Sequence, residues 1–264
     1  MKYSYCTTVY NTKSTINEFL NSIANLLDEE SELVVVDGQS KDGTYEEIIN
    51  FSEMHPNVHP IRMRCSRGLG REIAIESSTG TVIIMLDADE IHLKIKGYIE
   101  KFEQDHQGKI VHFGTKEKVS GSSIGCTIGL KSTFIELGGY PDLNYSEDSY
   151  LYKVAQKFGK FTSEVILPED AIPLLVNDLD STTERRYTSK LFEIMIRRIR
   201  ITRDILFVSG QNFSGLSKSY GLSGIKKYII GLPLFVIGTM MKLLMSDESV
   251  DSRFERIKQE YNLN

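Results

Sequence analysis

The chain has 264 residues, enough for one large domain or a domain with an appendage. With 41% hydrophobic and 25% charged residues it has the balance of a globular protein, which excludes a disordered chain. The net charge of −5 argues against free nucleic acid as a partner of the whole chain, but it averages unlike segments: residues 1–181 hold 17 basic and 28 acidic side chains, 182–245 hold 11 and 3, and 246–264 hold 3 and 5.

Tyr3–Val9 is a short β-prone run. Ile16, Phe19, Leu20, Ile23 and Leu27 then recur at helical spacing, with Thr15 and Glu18 placed as a capping box. Leu33-Val34-Val35-Val36 is continuous and apolar, the pattern of a strand buried on both faces, and it ends at Asp37-Gly38. A helix over Thr44–Ser52, a strand over Val58–Met63, a helix over Gly70–Ser77 closed by Thr79-Gly80 and a strand over Thr81–Leu86 follow. This β-α-β-α-β rhythm predicts an α/β fold, a mainly parallel Rossmann-like sheet flanked by helices. Ligands of such sheets bind beyond the carboxyl ends of the strands, where Asp37 and Asp87 stand. Residues 109–145 are less regular: a strand fits Lys109–Val119 and a short helix fits Ser132–Leu137. A helix over Ser149–Phe158 and a strand over Phe161–Leu167 complete the acidic body.

Four polar clusters carry the chemistry. Asp37-Gly38-Gln39-Ser40-Lys41-Asp42-Gly43-Thr44 follows a strand; its carboxylate suits a ribose hydroxyl or base N–H, and Thr44 is placed to cap a helix, although the same residues make ordinary turns. In Asp87-Ala88-Asp89-Glu90 the two carboxylates one residue apart, Asp87 and Asp89, can hold a hard divalent cation together with phosphate oxygens; solvated strand-end acids are the plain alternative. Glu147-Asp148 precedes a helix, where a carboxylate can act as a general base or simply complement the helix dipole. Arg67-Gly68-Leu69-Gly70-Arg71 precedes another helix and suits a diphosphate, or is a charged surface loop.

In this order and spacing the clusters resemble the nucleotide-sugar domain of the family-two inverting glycosyltransferases of the GT-A fold, over roughly residues 3–167. The P-x-Y-N-like element reads Thr8-Val9-Tyr10-Asn11, with Thr8 in place of Pro. The D-x-x-S-x-D-G-T block matches at Asp37, Ser40, Asp42, Gly43 and Thr44, and L-D-A-D matches at Leu86–Asp89. G-G-[FY]-x…E-D matches at Gly138, Gly139, Tyr140, Glu147 and Asp148. The N-x-G-x-x-x-A-R-N segment keeps only Gly68 and Arg71, and this departure, with that at Thr8, leaves the nucleobase open.

The resemblance implies donor contacts from Thr8, Tyr10, Asn11, Asp37, Ser40, Arg67, Gly68, Arg71 and Asp87. It implies Mn²⁺ or Mg²⁺ on Asp89 with help from Asp87, and an acceptor side at Gly138, Gly139 and Tyr140. Asp148 would be the base with Glu147 beside it. The implied reaction moves a sugar from a nucleoside diphosphate sugar, UDP-sugar favoured, to a hydroxyl or phosphate of a glycan or lipid-linked acceptor, with inversion. A sugar-1-phosphate nucleotidyltransferase is the competing enzyme class, but the Gly-rich loop it needs after the first strand is missing from Thr8–Thr15. A non-catalytic nucleotide-sugar-binding protein at the membrane is the third reading, and the presence of Asp87, Asp89 and Asp148 argues against it.

The composition shift near 181–185 predicts a GT-A body over 1–181 and a helical extension over 182–264. Arg185, Arg186, Lys190, Arg197, Arg198, Arg200 and Arg203 lie among apolar residues, a basic amphipathic pattern. After the Gly- and Ser-rich Ser209–Gly224 come 14 uncharged residues, Tyr228–Met241, between Lys226-Lys227 and Lys242. They fall short of the ~18 needed to span a bilayer. An interfacial anchor on an anionic membrane surface is expected, against a cover for the body or a homodimer interface. Three scattered cysteines, Cys6, Cys65 and Cys126, suit a reducing compartment, and Met1–Tyr5 lacks a secretory pattern. The expected location is therefore the cytoplasm, peripheral on the membrane. The five histidines show no metal spacing and read as surface or loop residues.

Overall fold

A computed structural model describes residues 1–116, 124–174, 191–209, 211, 213–219, 230–244 and 248–260. The predicted domain boundary at 181–185, and with it Arg185, Arg186, Lys190, Lys226 and Lys227, lies outside the described residues.

Seven strands form the central sheet: β1 (Tyr3–Val9), β2 (Ser31–Asp37), β3 (Val58–Arg62), β4 (Val82–Met85), β6 (Ile110–Thr115), β7 (Gly125–Leu130) and β8 (Phe161–Ile166). Their order is β3-β2-β1-β4-β7-β6-β8, and β7 alone runs against the rest. β2 and β4 contain the continuous apolar runs of the sequence, and every residue of both is buried, as a parallel sheet covered on both faces requires. One face packs against α1 (Lys13–Ala24), α2 (Thr44–Met54) and α4 (Ile95–Asp105) around Phe19, Leu20, Ile48 and Phe102. The other packs against α3 (Arg67–Ser77), α5 (Lys131–Glu136) and α6 (Glu147–Lys157) around Ile75, Phe134, Tyr150 and Leu151.

The chain winds β1-β2-β3 outward and returns to lay β4 on the other side of β1, so the order reverses between β1 and β4. Helices on either side leave a crevice at such a reversal, which makes it the binding position of open α/β sheets. A small second sheet pairs β5 (Glu90–His92) with β9 (Ala171–Pro173) beside this point.

The expected capping box does not form. α1 begins at Lys13, so Thr15 is inside the first turn and its hydroxyl donates to Thr12 O at 3.3 Å. Thr44 likewise opens α2 rather than capping it: Asp42 Oδ1 accepts from the Thr44 N–H at 3.1 Å and from its hydroxyl at 2.6 Å. α3 starts three residues before the expected point because Ser66 Oγ accepts from Leu69 N at 3.1 Å.

Beyond the body lie α7 (Leu191–Ser209), α8 (Phe213–Ser219), α9 (Leu232–Leu243) and α10 (Val250–Glu260). α7 and α10 pack on the body rather than hanging from it. Phe207 stacks on Tyr150 at 6.1 Å between ring centroids, Lys153 Nζ donates to Val208 O at 2.8 Å, and Arg253 Nη1 donates to Gly139 O at 2.8 Å.

Candidate active site

The end of β2 is a closed network. Asp37 is completely buried, and its carboxylate accepts from Ser40 N at 3.1 and 3.2 Å and faces Arg62 Nε at 3.4 Å. Ser40 Oγ accepts from Asn11 N at 2.8 Å, and Asn11 Oδ1 accepts from Lys41 N at 2.9 Å. These bonds lock the β1–α1 turn to the β2–α2 turn, with Asn11 and Gln39 both at positive φ, a conformation that asparagine tolerates better than most residues. Thr8, Tyr10, Asn11, Asp37 and Ser40 are thus gathered at the sheet's reversal. Thr8 Oγ1 is buried without a hydrogen-bond partner among the described residues, and the Tyr10 ring is 59% exposed beside Gly38.

The end of β4 is open by comparison. One carboxylate oxygen from each of Asp87, Asp89 and Glu90 lies within 4.8 Å of the others. Burial and then the neighbouring Asp87 charge push the Asp89 carboxyl up, and burial, with a smaller push from Asp87, does the same to Glu90. Three oxygen donors that repel one another fit Mn²⁺ or Mg²⁺. Glu90 joins Asp87 and Asp89 because the chain turns into β5 there. Its other contacts are Gly125 N, which donates at 2.9 Å, and His92 Nε2 at 3.4 Å.

Arg71 connects this cluster to the start of α6. Its guanidinium, 5% exposed, holds Asp87 Oδ1 at 2.6 Å through Nη2 and contacts Asp148 Oδ1 through Nη1, with Glu147 Oε1 at 3.7 Å. Loss of water works to raise Asp87, but Arg71 and Arg67 outweigh it and hold that carboxyl below its usual range. Glu147 goes the other way: burial, then the Asp148 charge, push its carboxyl up to about 7 against Arg71 and Arg67. Arg71 therefore sits among carboxylates, and Arg67 Nη1 lies 3.7 Å from Glu147 Oε1.

Gly68 is where two backbones meet. A Cβ there would lie 1.9 Å from Pro141 O, and Gly68 N donates to Leu143 O at 2.8 Å. Gly138 and Gly139 take positive φ (74° and 62°), and a Cβ at Gly139 would strike the Glu72 carboxylate at 2.0 Å. Glu72 Oε2 accepts from Tyr140 N at 2.7 Å, and the buried Tyr140 ring lies under the Arg71 guanidinium at 5.4 Å. So Gly68, Gly138, Gly139 and Tyr140 build the wall that fixes Arg71 and α6.

Two histidines correct the expectation of surface positions. His92 is in β5 with 3% of its side chain exposed. His112 is in β6, its Nδ1 3.1 Å from Tyr152 Oη, and burial lowers its pKa. Glu90, Glu72 and Arg62 are the site residues that sequence reasoning missed. Glu90 alone had a signal, its place directly after Asp-x-Asp.

The family described as glycosyl transferase family 2 matches over residues 4–133. No curated protein matches the sequence. Among solved structures, the mannosyltransferase PcManGT from Pyrobaculum calidifontis, in complex with GDP-Man and Mn²⁺, is similar over 100% of this chain and 81% of its own, at 14% identity and a TM-score of 0.56. S. aureus TarS 1–349 in complex with UDP is similar over 99% and 91%, at 17% identity and 0.54. Glucosyl-3-phosphoglycerate synthase from Mycobacterium tuberculosis, with Mn²⁺, UDP and glucosyl-3-phosphoglycerate, is similar over 62% and 69%, at 14% identity and 0.50.

Proposed function

From the match to glycosyl transferase family 2 over residues 4–133, we propose an inverting, divalent-metal-dependent transfer of a sugar from a nucleoside diphosphate sugar to a hydroxyl or phosphate of a glycan or lipid-linked acceptor. The observation that carries it is the meeting of two carboxylate groups distant in sequence: Asp87, Asp89 and Glu90 at the end of β4, and Glu147 with Asp148 at the start of α6, bridged by Arg71. Glycosyl transfer needs two such stations, one at the leaving diphosphate and one at the attacking hydroxyl. A divalent cation held by Asp87, Asp89 and Glu90 would neutralise the charge that develops on the leaving diphosphate.

The remaining work belongs to the chain's own groups. Asp148, with 33% of its side chain exposed, takes the proton of the acceptor hydroxyl as it attacks; Glu147, almost fully buried, stays behind it. Arg71 fixes the distance between the two stations. The unpartnered Thr8 Oγ1, the exposed Tyr10 ring and the Asp37–Ser40 turn receive the nucleoside, with a uridine donor favoured. A single displacement inverts the anomeric carbon and uses no nucleophile of the protein. Of the cysteines, Cys6 and Cys126 are buried in the sheet, and burial raises all three thiols.

Calorimetry with UDP-, GDP- and dTDP-sugars in Mn²⁺ tests this. The wild type should bind one donor and Asp89→Ala should lose it. Asp148→Asn should keep the donor and lose transfer by at least about a hundredfold. A chain that binds no nucleotide sugar, or binds it equally well as Asp89→Ala, refutes the proposal.

A further inference from the structure

α9 presents an apolar face that nothing in the described chain covers. Leu232, Val236, Ile237, Met240, Leu243 and Leu244 are each at least 40% exposed. At the helical repeat they fall within one arc of about 140°. The opposite side of α9 is packed: Leu234 and Gly238 are buried, and Gly238 lies so close to Thr202 of α7 that a Cβ would stand 2.7 Å from Thr202 Cγ2. Monomeric proteins seldom leave so continuous an apolar stripe in water.

We infer that this face docks on an anionic lipid bilayer, lying in the interface with its apolar arc among the acyl chains. The charge of the segment that carries it selects that occupant. Arg198 and Arg200 are exposed on α7 within four residues of Thr202, and residues 182–245 carry 11 basic against 3 acidic side chains. A second copy would set two such basic segments against each other, whereas anionic headgroups complement them. The depth follows from length: no helix among the described residues is long and apolar enough to cross a membrane, so α9 lies in the surface plane.

The docked face is tied to the acceptor side of the site. Asp204 of α7 is fully buried, and its carboxylate accepts from the backbone N–H groups of Asn144 and Tyr145, just before Glu147 and Asp148. A bilayer under α9 therefore holds the α6 entrance at a fixed position relative to lipid. Lipid binding stands without the catalytic reading; delivery of a lipid-linked acceptor to Asp148 rests on it.

The test is co-sedimentation of the full chain with vesicles of phosphatidylcholine alone or in equal parts with phosphatidylglycerol. Binding should favour the anionic vesicles and weaken with salt. Val236→Glu with Met240→Glu should cut it at least about tenfold. Arg198→Ala and Arg200→Ala should each cost about fivefold on the anionic vesicles and little on the neutral ones. All four positions are exposed, so unchanged thermal melting and donor binding should accompany the losses. Absence of binding to the anionic vesicles at low salt overturns the inference, as does equal binding by the glutamate variant. A dimer in light scattering that Met240→Glu dissolves assigns the face to a second copy instead and also overturns it.

Discussion

Asp37 ends β2, and Asp89 stands four residues past β4, on the two strands that flank β1, yet their carboxylates have opposite surroundings. Asp37 has no exposed surface, two hydrogen bonds from Ser40 N and an arginine at 3.4 Å. Asp89 has Asp87 and Glu90 for neighbours and no ion pair among the described residues, so burial and like charge push its carboxyl up. The first arrangement is satisfied by the protein and shapes a turn. The second lacks compensating partners among the described residues, so a proton or a bound cation would stabilise it. Unpartnered charge, more than acidity at a strand end, separates a candidate ligand from a turn-former.

Arg71 is the sharpest test of that contrast, because among the described residues it is the side chain that bridges Asp87 to Asp148. Arg71→Met leaves Asp87, Asp148 and Glu147 facing one another and should cost about 3 kcal/mol or more in urea unfolding at pH 7. Added Mn²⁺ should recover part of it, since a cation replaces charge at Asp87.

The two aspartates should then part company. Asp37→Ala leaves the Ser40 N–H without its acceptor and Arg62 without its ion pair, and should cost about 1–3 kcal/mol. Asp89→Ala removes the burial cost and the repulsion from Asp87, which outweigh the pull of Arg67 and Arg71, and should leave stability unchanged or slightly higher in the absence of metal. Equal losses in the two variants would break the comparison.

A pH-dependent effect belongs to Glu147. Its carboxyl is raised to about 7 in the folded chain, against an ordinary value of about 4.3. Between these values the folded state binds more protons than the unfolded one, so stability falls as pH rises through that window. Glu147→Gln should therefore be more stable than the wild type at pH 8, on the order of 1 kcal/mol, and show no such gain at pH 4. A thermal-melting series across pH reads this directly, and a wild-type advantage at pH 8 would reverse the reasoning.

Much of the body was legible because its signals are local. The apolar runs at Leu33–Val36 and Val82–Met85 can only be buried strands, and Asp-Gly and Asp-x-Asp follow them as punctuation. Less was legible between 90 and 130. β5 has only three residues, and β7 (GCTIGL) carries two glycines and no alternation, so neither offers a pattern. β7 became a strand because β4 and β6 needed an antiparallel partner between them. The capping box failed for a related reason: Thr12 and Thr44 bond across two turns, and that contact set the start of α1.

Sequence by itself determined the strand–helix rhythm, the order of the acidic blocks and the separation of an acidic body from a basic segment, since each depends on residues near one another along the chain. Tertiary structure decided which acids stand unpartnered, that Glu90 joins Asp87 and Asp89, and that Arg71 turns inward to bridge positions 87 and 148. It also decided which arc of α9 faces outward, because Thr202 claimed the side bearing Gly238. These outcomes depend on what lies across the fold from each side chain, which separation along the chain does not encode.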